Sequence, residues 1–178
     1  MSDTQAAGDG AAAPADAPSP HMLVNGQYLK DLSFESPNSP SSLAEMSGDT
    51  APNVDVNVDV NAAHLKEDLY EVALSIRAEA KQGERIIFIA ELHYGGLFTI
   101  TNAGDMLQPL LLVEAPRLLF PYARAIVSEC VRDGGFPPLL IHPIDFVGLL
   151  RQRLAAEAQA AASGAGAAEA TAEAPTEA

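Results

Sequence analysis

Tryptophan is absent from the 178 residues, and cysteine occurs once, as Cys130. A single thiol excludes an intrachain disulfide and fits a reducing compartment. Positive charge is scarce: 10 Lys and Arg stand against 24 Asp and Glu, a formal net charge of −14. The imbalance is not confined to the ends. Residues 1–21 hold three acids and residues 155–178 hold four, neither with a Lys or Arg, leaving 17 acids against all 10 bases in between. Such a surface repels nucleic acid phosphates and anionic lipid headgroups, and attracts a basic peptide or protein tail. No apolar run approaches the ~20 residues that span a bilayer. The first 21 residues lack the basic start and apolar core of a secretory signal. A cytoplasmic protein of bacterial type is expected, with no nucleic acid partner and no direct membrane insertion.

The residues of catalysis are also missing. There is no Gly-rich phosphate loop, nucleophile elbow or G-x-G-x-x-G. His21, His64, His93 and His142 each stand apart from another His and from Cys130, so zinc has little support. Asp55-Val-Asn-Val-Asp59 starts like a calcium loop, but Val60 stands where the turn needs Gly and Lys66 where the bidentate Glu belongs. Neither an enzyme activity nor a cofactor or metal is expected. Gly95-Gly96 reads as the end or a kink of a strand.

What is present begins with alternation. Val54, Val56, Val58 and Val60 share one face of a segment whose other face carries Asp55, Asn57 and Asp59, the pattern of a half-buried strand. Tyr70 to Ala80 repeats it, with Tyr70, Val72, Leu74 and Ile76 inward. The Lys81-Gln82-Gly83-Glu84 turn closes a hairpin onto a strand from Arg85 to Tyr94. A weaker strand runs from about Leu23 to Phe34 and ends at Pro37-Asn38-Ser39-Pro40. Connections this short imply antiparallel pairing. The Arg85 strand is apolar on both faces, with Ile86, Phe88, Ala90 and Leu92 on one and Ile87 and Ile89 beside Glu91 and His93 on the other. Something must cover the second face: helices, another subunit or a bound chain.

The second half carries helical spacing. Tyr122, Ala123, Ile126, Val127, Cys130 and Val131 form one stripe from Leu119 onward, which Gly134-Gly135 ends. On that stripe Cys130 reads as a packed thiol. Pro116 and Pro121 fit only near a helix start. After an extended Pro-rich stretch, Asp145 reads as the N-cap of a last helix carrying Phe146, Leu149, Leu150 and Leu154. The expected fold is α+β, a four-stranded antiparallel sheet followed by helices packed on one face. Residues 22–154 form the domain. It lies between a disordered acidic tail at 1–21 and an Ala/Glu-rich disordered tail at 155–178, in which helix extends no further than Ala162.

Several blocks in order resemble the SecB protein-export chaperones. They are Tyr28-Leu-Lys-Asp-Leu-Ser-Phe-Glu-Ser-Pro-Asn-Ser-Pro40, Asp68-Leu-Tyr-Glu-Val72, Phe88-Ile-Ala-Glu91, Gly96-Leu-Phe-Thr-Ile100, Leu119-Phe-Pro-Tyr-Ala-Arg124, Gly135-Phe-Pro-Pro138 and Pro143-Ile-Asp-Phe146. The chain departs from the family in lacking a Trp-containing aromatic segment at Ser41–Pro52, in Ala115-Pro116 for the usual Cys-Pro, and in Ala125 for the usual Glu. The resemblance implies a homotetramer, a dimer of dimers; the two-sided apolar strand and the helical stripe, more apolar surface than one sheet can hide, put Tyr122 and Ile126 at the oligomer interface. It implies an ATP-independent chaperone that holds unfolded precursor proteins, keeps them translocation-competent and delivers them to the SecA motor ATPase. Val54, Val56, Val58, Phe146, Leu150 and Leu154 match the family's client groove. Asp31, Glu35 and Glu91, with Ile89 as an apolar contact, match its SecA-binding surface. The alternative implied by the same fold is a dedicated chaperone of a toxin–antitoxin pair.

Overall fold

The computed structural model describes residues 19–45 and 52–169, the last helix as backbone only from residue 161 onward. Four strands build the sheet: β1 (His21–Glu35), β2 (Asn53–Lys66), β3 (Leu69–Gln82) and β4 (Arg85–Thr101). All pairings are antiparallel, in the order β1-β4-β3-β2. β2, β3 and β4 are consecutive hairpins. β1 instead lies beside β4, so the β1–β2 connection must travel from one edge of the sheet to the other, as in a Greek key. That connection includes the short helix α1 (Ser41–Glu45). It is tied to the start of β4 by Asn38 Nδ2 donating to the Ile86 carbonyl at 2.8 Å and Ser36 Oγ to the Ile87 carbonyl at 3.1 Å.

All four strands outrun the sequence expectation, β2 and β4 the most. β2 continues past Asn61 through Ala62-Ala63-His64, where alternation fades but pairing with β3 persists to Lys66 opposite Leu69. Glu67, at φ 47°, makes that tight turn, as Gly83 at φ 61° makes the next one. β4 does not end at Gly95-Gly96 but runs to Thr101. The glycines are there for close approach: a Cβ on Gly95 would lie 2.9 Å from the Tyr28 ring, and one on Gly96 2.7 Å from Phe98 and 2.8 Å from Leu119.

The even-numbered residues of β3, from Val72 to Ala80, pair with those of β4 and are buried. The helices pack on this face. A 3-10 turn (Gly104–Met106), a single α turn labelled α2 (Leu107–Pro109) and a π segment (Leu110–Glu114) lead into α3 (Ala115–Asp133). The helical run therefore starts before Leu119, and Pro121 sits inside α3. Pro116 falls in its first turn, where a missing N–H costs little, and the wide π turn immediately precedes it. The expected α3 stripe splits in two. Ala123, Val127 and Val131 are fully buried on the sheet, whereas Tyr122 is 55% exposed and Ile126 and Cys130 are half-buried. Each fully buried branched side chain stabilises by about 1.5–3 kcal/mol.

Gly135, at φ 91°, follows the helix end. Phe136 then closes an aromatic cluster with Phe34 and Phe88, at ring-centroid distances of 6.2 and 5.1 Å. Asp145 caps α4 (Phe146–Glu169) as expected, its Oδ1 accepting from Gly148 N at 3.0 Å. The backbone of α4 passes Ala162, the expected limit, because Ala-rich sequence propagates helix readily. Residues 1–18, 46–51 and 170–178, which hold most of the expected acidic N-terminal tail, Met46 and the C-terminal end, lie outside the described residues.

Candidate functional site

The sheet has two faces of opposite character. On the face away from α3, cross-strand rows can be followed over all four strands. Asp59 is opposite Ser75, Ser75 opposite His93, and His93 opposite Asp31. The next row reads Asn57, Arg77, Glu91, Ser33, and the one after it Asp55, Glu79, Ile89, Glu35. Asp31, Glu35, Ile89 and Glu91, separated by up to 60 positions in sequence, thus become neighbours on one surface. Asp31 and Glu35 are exposed, and Ile89 and Glu91 half-buried.

Parity along β1 holds from Asp31 to Glu35 but does not extend back to Leu29. A bulge at Lys30 moves Leu29 opposite Tyr94, on the helix side of the sheet. A second irregularity lies between Ala80 and Lys81, where the pairing skips Ile87. Ile87 consequently joins the core at 2% exposure, and Ile86 is left half-buried.

The sequence reading missed the cations on this face. Arg77 donates to Glu91, and its other terminal nitrogen to Glu79 Oε2 at 2.9 Å. Lys81 lies 2.5 Å from the second oxygen of Glu79. Lys81, and after it Arg77, hold the Glu79 carboxyl below the usual carboxylate range, and Glu79 raises Lys81 in return. A signal existed in the sequence, since Arg77 and Glu79 occupy the outward positions of β3, but only the register shows that they meet Glu91 and Ile89.

The other candidate surface lies on the helix side, at the β2 edge. A cleft of about 270 Å³ is lined by Val58, Val60, Leu112, Leu149, Leu150 and Arg153, with Asp59 and Asn61 at its rim. Arg153 donates to the Val60 carbonyl at 3.1 Å, fixing α4 against the strand. Of the expected groove residues, Val58 and Leu150 meet here. Val56 and Leu154 are exposed at 39% and 43%. Val54 is half-buried further along β2. Phe146 does not reach this surface; it is 1% exposed and packs edge-on against Phe120 at 6.0 Å, supporting α4 from beneath. Leu149, Leu112 and Val60 were not among the expected groove residues. Leu149 shares the apolar stripe of α4, while Leu112 enters from the irregular π turn, where spacing gives no guide.

On α3, Leu118 and Tyr122 are 43% and 55% exposed, one turn apart on the helix surface. Cys130 is half-buried. Burial, and after it Asp133, pushes its thiol up, which favours the protonated form. Among the described residues no His, Cys, Asp or Glu group is arranged to hold a metal ion, and no helix is long and apolar enough to cross a membrane.

The family model of the preprotein translocase subunit SecB matches residues 15–157. The chain belongs to the SecB family. A SecB protein-export protein of Rhodopseudomonas palustris strain BisA53 is 52% identical over 152 residues, covering 83% of this chain and 93% of its own. That of Nitrobacter hamburgensis is 48% identical over 146 residues, covering 82% and 91%. A Mycobacterium tuberculosis SecB-like chaperone, solved in complex with a ChAD peptide from an antitoxin, superposes with a TM-score of 0.57. It shares 14% of residues over 70% of this chain and 91% of its own. That likeness bears on the fold. The relatives near half identity are SecB export proteins, so this SecB family member is an export chaperone, and the toxin–antitoxin alternative is not favoured.

Proposed function

We propose that this chain holds unfolded precursor proteins without ATP, in the cytoplasm and as a homotetramer, and passes them to the SecA motor. One observation carries the reading: the apolar cleft and the acidic surface lie on opposite faces of one sheet. A client covering Val58 and Leu150 leaves Asp31, Glu35, Glu91 and Ile89 free, so holding and delivery do not compete for the same atoms. An apolar cleft recognises side chains without strict sequence, which suits a holdase. Carboxylates on a rigid sheet give a fixed negative field onto which a basic segment settles with little ordering of the chaperone. Assembly is supported by the exposed Leu118 and Tyr122 on α3 and by the open edge of β1, where Leu23 and Leu29 are 56% and 49% exposed. The role assigned is binding, with no catalytic residue.

The test is a pair of assays on one preparation. The protein should slow the folding of a slow-folding precursor and should bind SecA. Changing Asp31→Asn, Glu35→Gln and Glu91→Gln together should weaken SecA binding while leaving tetramer and client holding intact. Unchanged SecA affinity at low ionic strength, where screening is weakest, would remove the basis for the docking surface.

A further inference from the structure

The acidic face does not stand empty in the free protein. Arg77 sits at its centre, on β3, in the row that holds Glu91 and next to the row that holds Glu79 and Ile89. Its guanidinium is ion-paired with both carboxylates at once, to Glu91 through one terminal nitrogen and to Glu79 through the other. The planar fork of an arginine suits such a bridge in a way that a lysine ammonium does not. Glu79 and Glu35 lie on either side of Ile89 in register, so the apolar contact is flanked by one carboxylate that the chain already neutralises and one exposed carboxylate.

We infer that Arg77 is an internal competitor for the basic segment that docks on this face, and that Glu79 is a further docking carboxylate which Arg77 masks together with Lys81. The inference rests on the docking surface proposed above and names the residue that sets its affinity and salt response. A basic side chain approaching Glu91 or Glu79 exchanges an existing ion pair for a new one. The chaperone side chains bearing these pairs are partly exposed, with Arg77 at 46%, Glu91 at 39% and Glu79 at 19%. Exposed pairs of this kind contribute little to stability, so Arg77 swings away at small cost. The consequence is discrimination. A lone lysine gains almost nothing by displacing Arg77, whereas a segment with several basic groups and an apolar residue for Ile89 gains at Asp31, Glu35 and Ile89 as well.

The experiment is calorimetric titration of SecA into the full-length tetramer at several salt concentrations, comparing wild type with Arg77→Gln, Arg77→Lys and Glu35→Gln. Arg77→Gln should tighten binding by about two- to fivefold at low salt, the size of one exposed ion pair, and should steepen its loss with salt. Arg77→Lys should fall between it and wild type. Glu35→Gln should weaken binding. If Glu35→Gln weakens binding while Arg77→Gln, still tetrameric by light scattering, binds no more tightly than wild type, the competitor role is wrong and the docking surface stands. If Glu35→Gln has no effect, the docking surface itself fails and the inference goes with it.

Discussion

The hydroxyl of Tyr28 on β1 donates to the carboxylate of Glu71 on β3, reaching across the whole width of β4. The ring can lie there because it passes over Gly95, its register partner. Lys30 Nζ, 2.9 Å from the same carboxylate oxygen, completes the cluster. Desolvation, then the bond to Glu71, pushes the Tyr28 phenol up to about 12. The bonds from Tyr28 and Lys30 lower Glu71. Tyr28 is protonated more tightly in the folded state, so its contribution is complete below pH ~10, the ordinary tyrosine value, and fades as pH rises toward 12. Glu71 behaves oppositely: its contribution is present above ~4.3 and is lost as pH falls through its lowered folded value. Tyr28→Phe should therefore cost about 1 kcal/mol near neutral pH, with the gap to wild type closing at both extremes. Urea unfolding from pH 3 to pH 11 measures it, and a constant gap across that range would contradict the assignment.

Glycine at 96 is required by packing. Gly96→Ala drives a methyl into Phe98 and Leu119, both fully buried. The expected loss is about 1–3 kcal/mol, read as a lower urea midpoint at unchanged m-value. Gly26→Ala on β1, where a Cβ meets nothing within 4 Å, is the matched control and should be close to neutral.

Tyr122 separates assembly from folding. At 55% exposure it packs little within the subunit. Tyr122→Asp should leave the far-UV circular dichroism intact and lower the mass by light scattering from a tetramer to a smaller species. A tetramer that survives the change would place the interface elsewhere; unfolding would show that Tyr122 belongs to the core.

Leu150 and Leu154 test the cleft. Each apolar side chain covered by client contributes on the order of 1–2 kcal/mol. Leu150→Ser with Leu154→Ser should weaken holding of a slow-folding precursor by at least about tenfold, while SecA binding is retained. If clients are held as well as before by an intact tetramer, the cleft is not the groove.

By itself the sequence determined which segments are strands and helices and which way most of them face, because those follow from local spacing. Valines two apart from Val54 to Val60 define a half-buried strand whatever its neighbours, Asp145 caps α4 through its own side chain, and the deficit of positive charge is set without any coordinates. Family membership was legible for the same reason, in short blocks kept in order. Tertiary structure alone decided what depends on register. Alternation tells that Arg77, Glu79 and Glu91 point outward, but not that Arg77 lies opposite Glu91, since pairing is made between strands and a shift of one residue would reverse it. The bulge at Lys30 removed Leu29 from the acidic face, and the skipped Ile87 entered the core. Gly95-Gly96 resembled a strand end because glycine is a poor strand former; the Tyr28 ring and Leu119, brought in from β1 and α3, together with the Phe98 ring explain the missing side chains. Phe146 and Leu150 share a helix and an apolar stripe, and spacing treats them alike. The fold buried one against Phe120 and left the other at the cleft, because which part of a stripe stays exposed depends on how far the neighbouring elements extend over it.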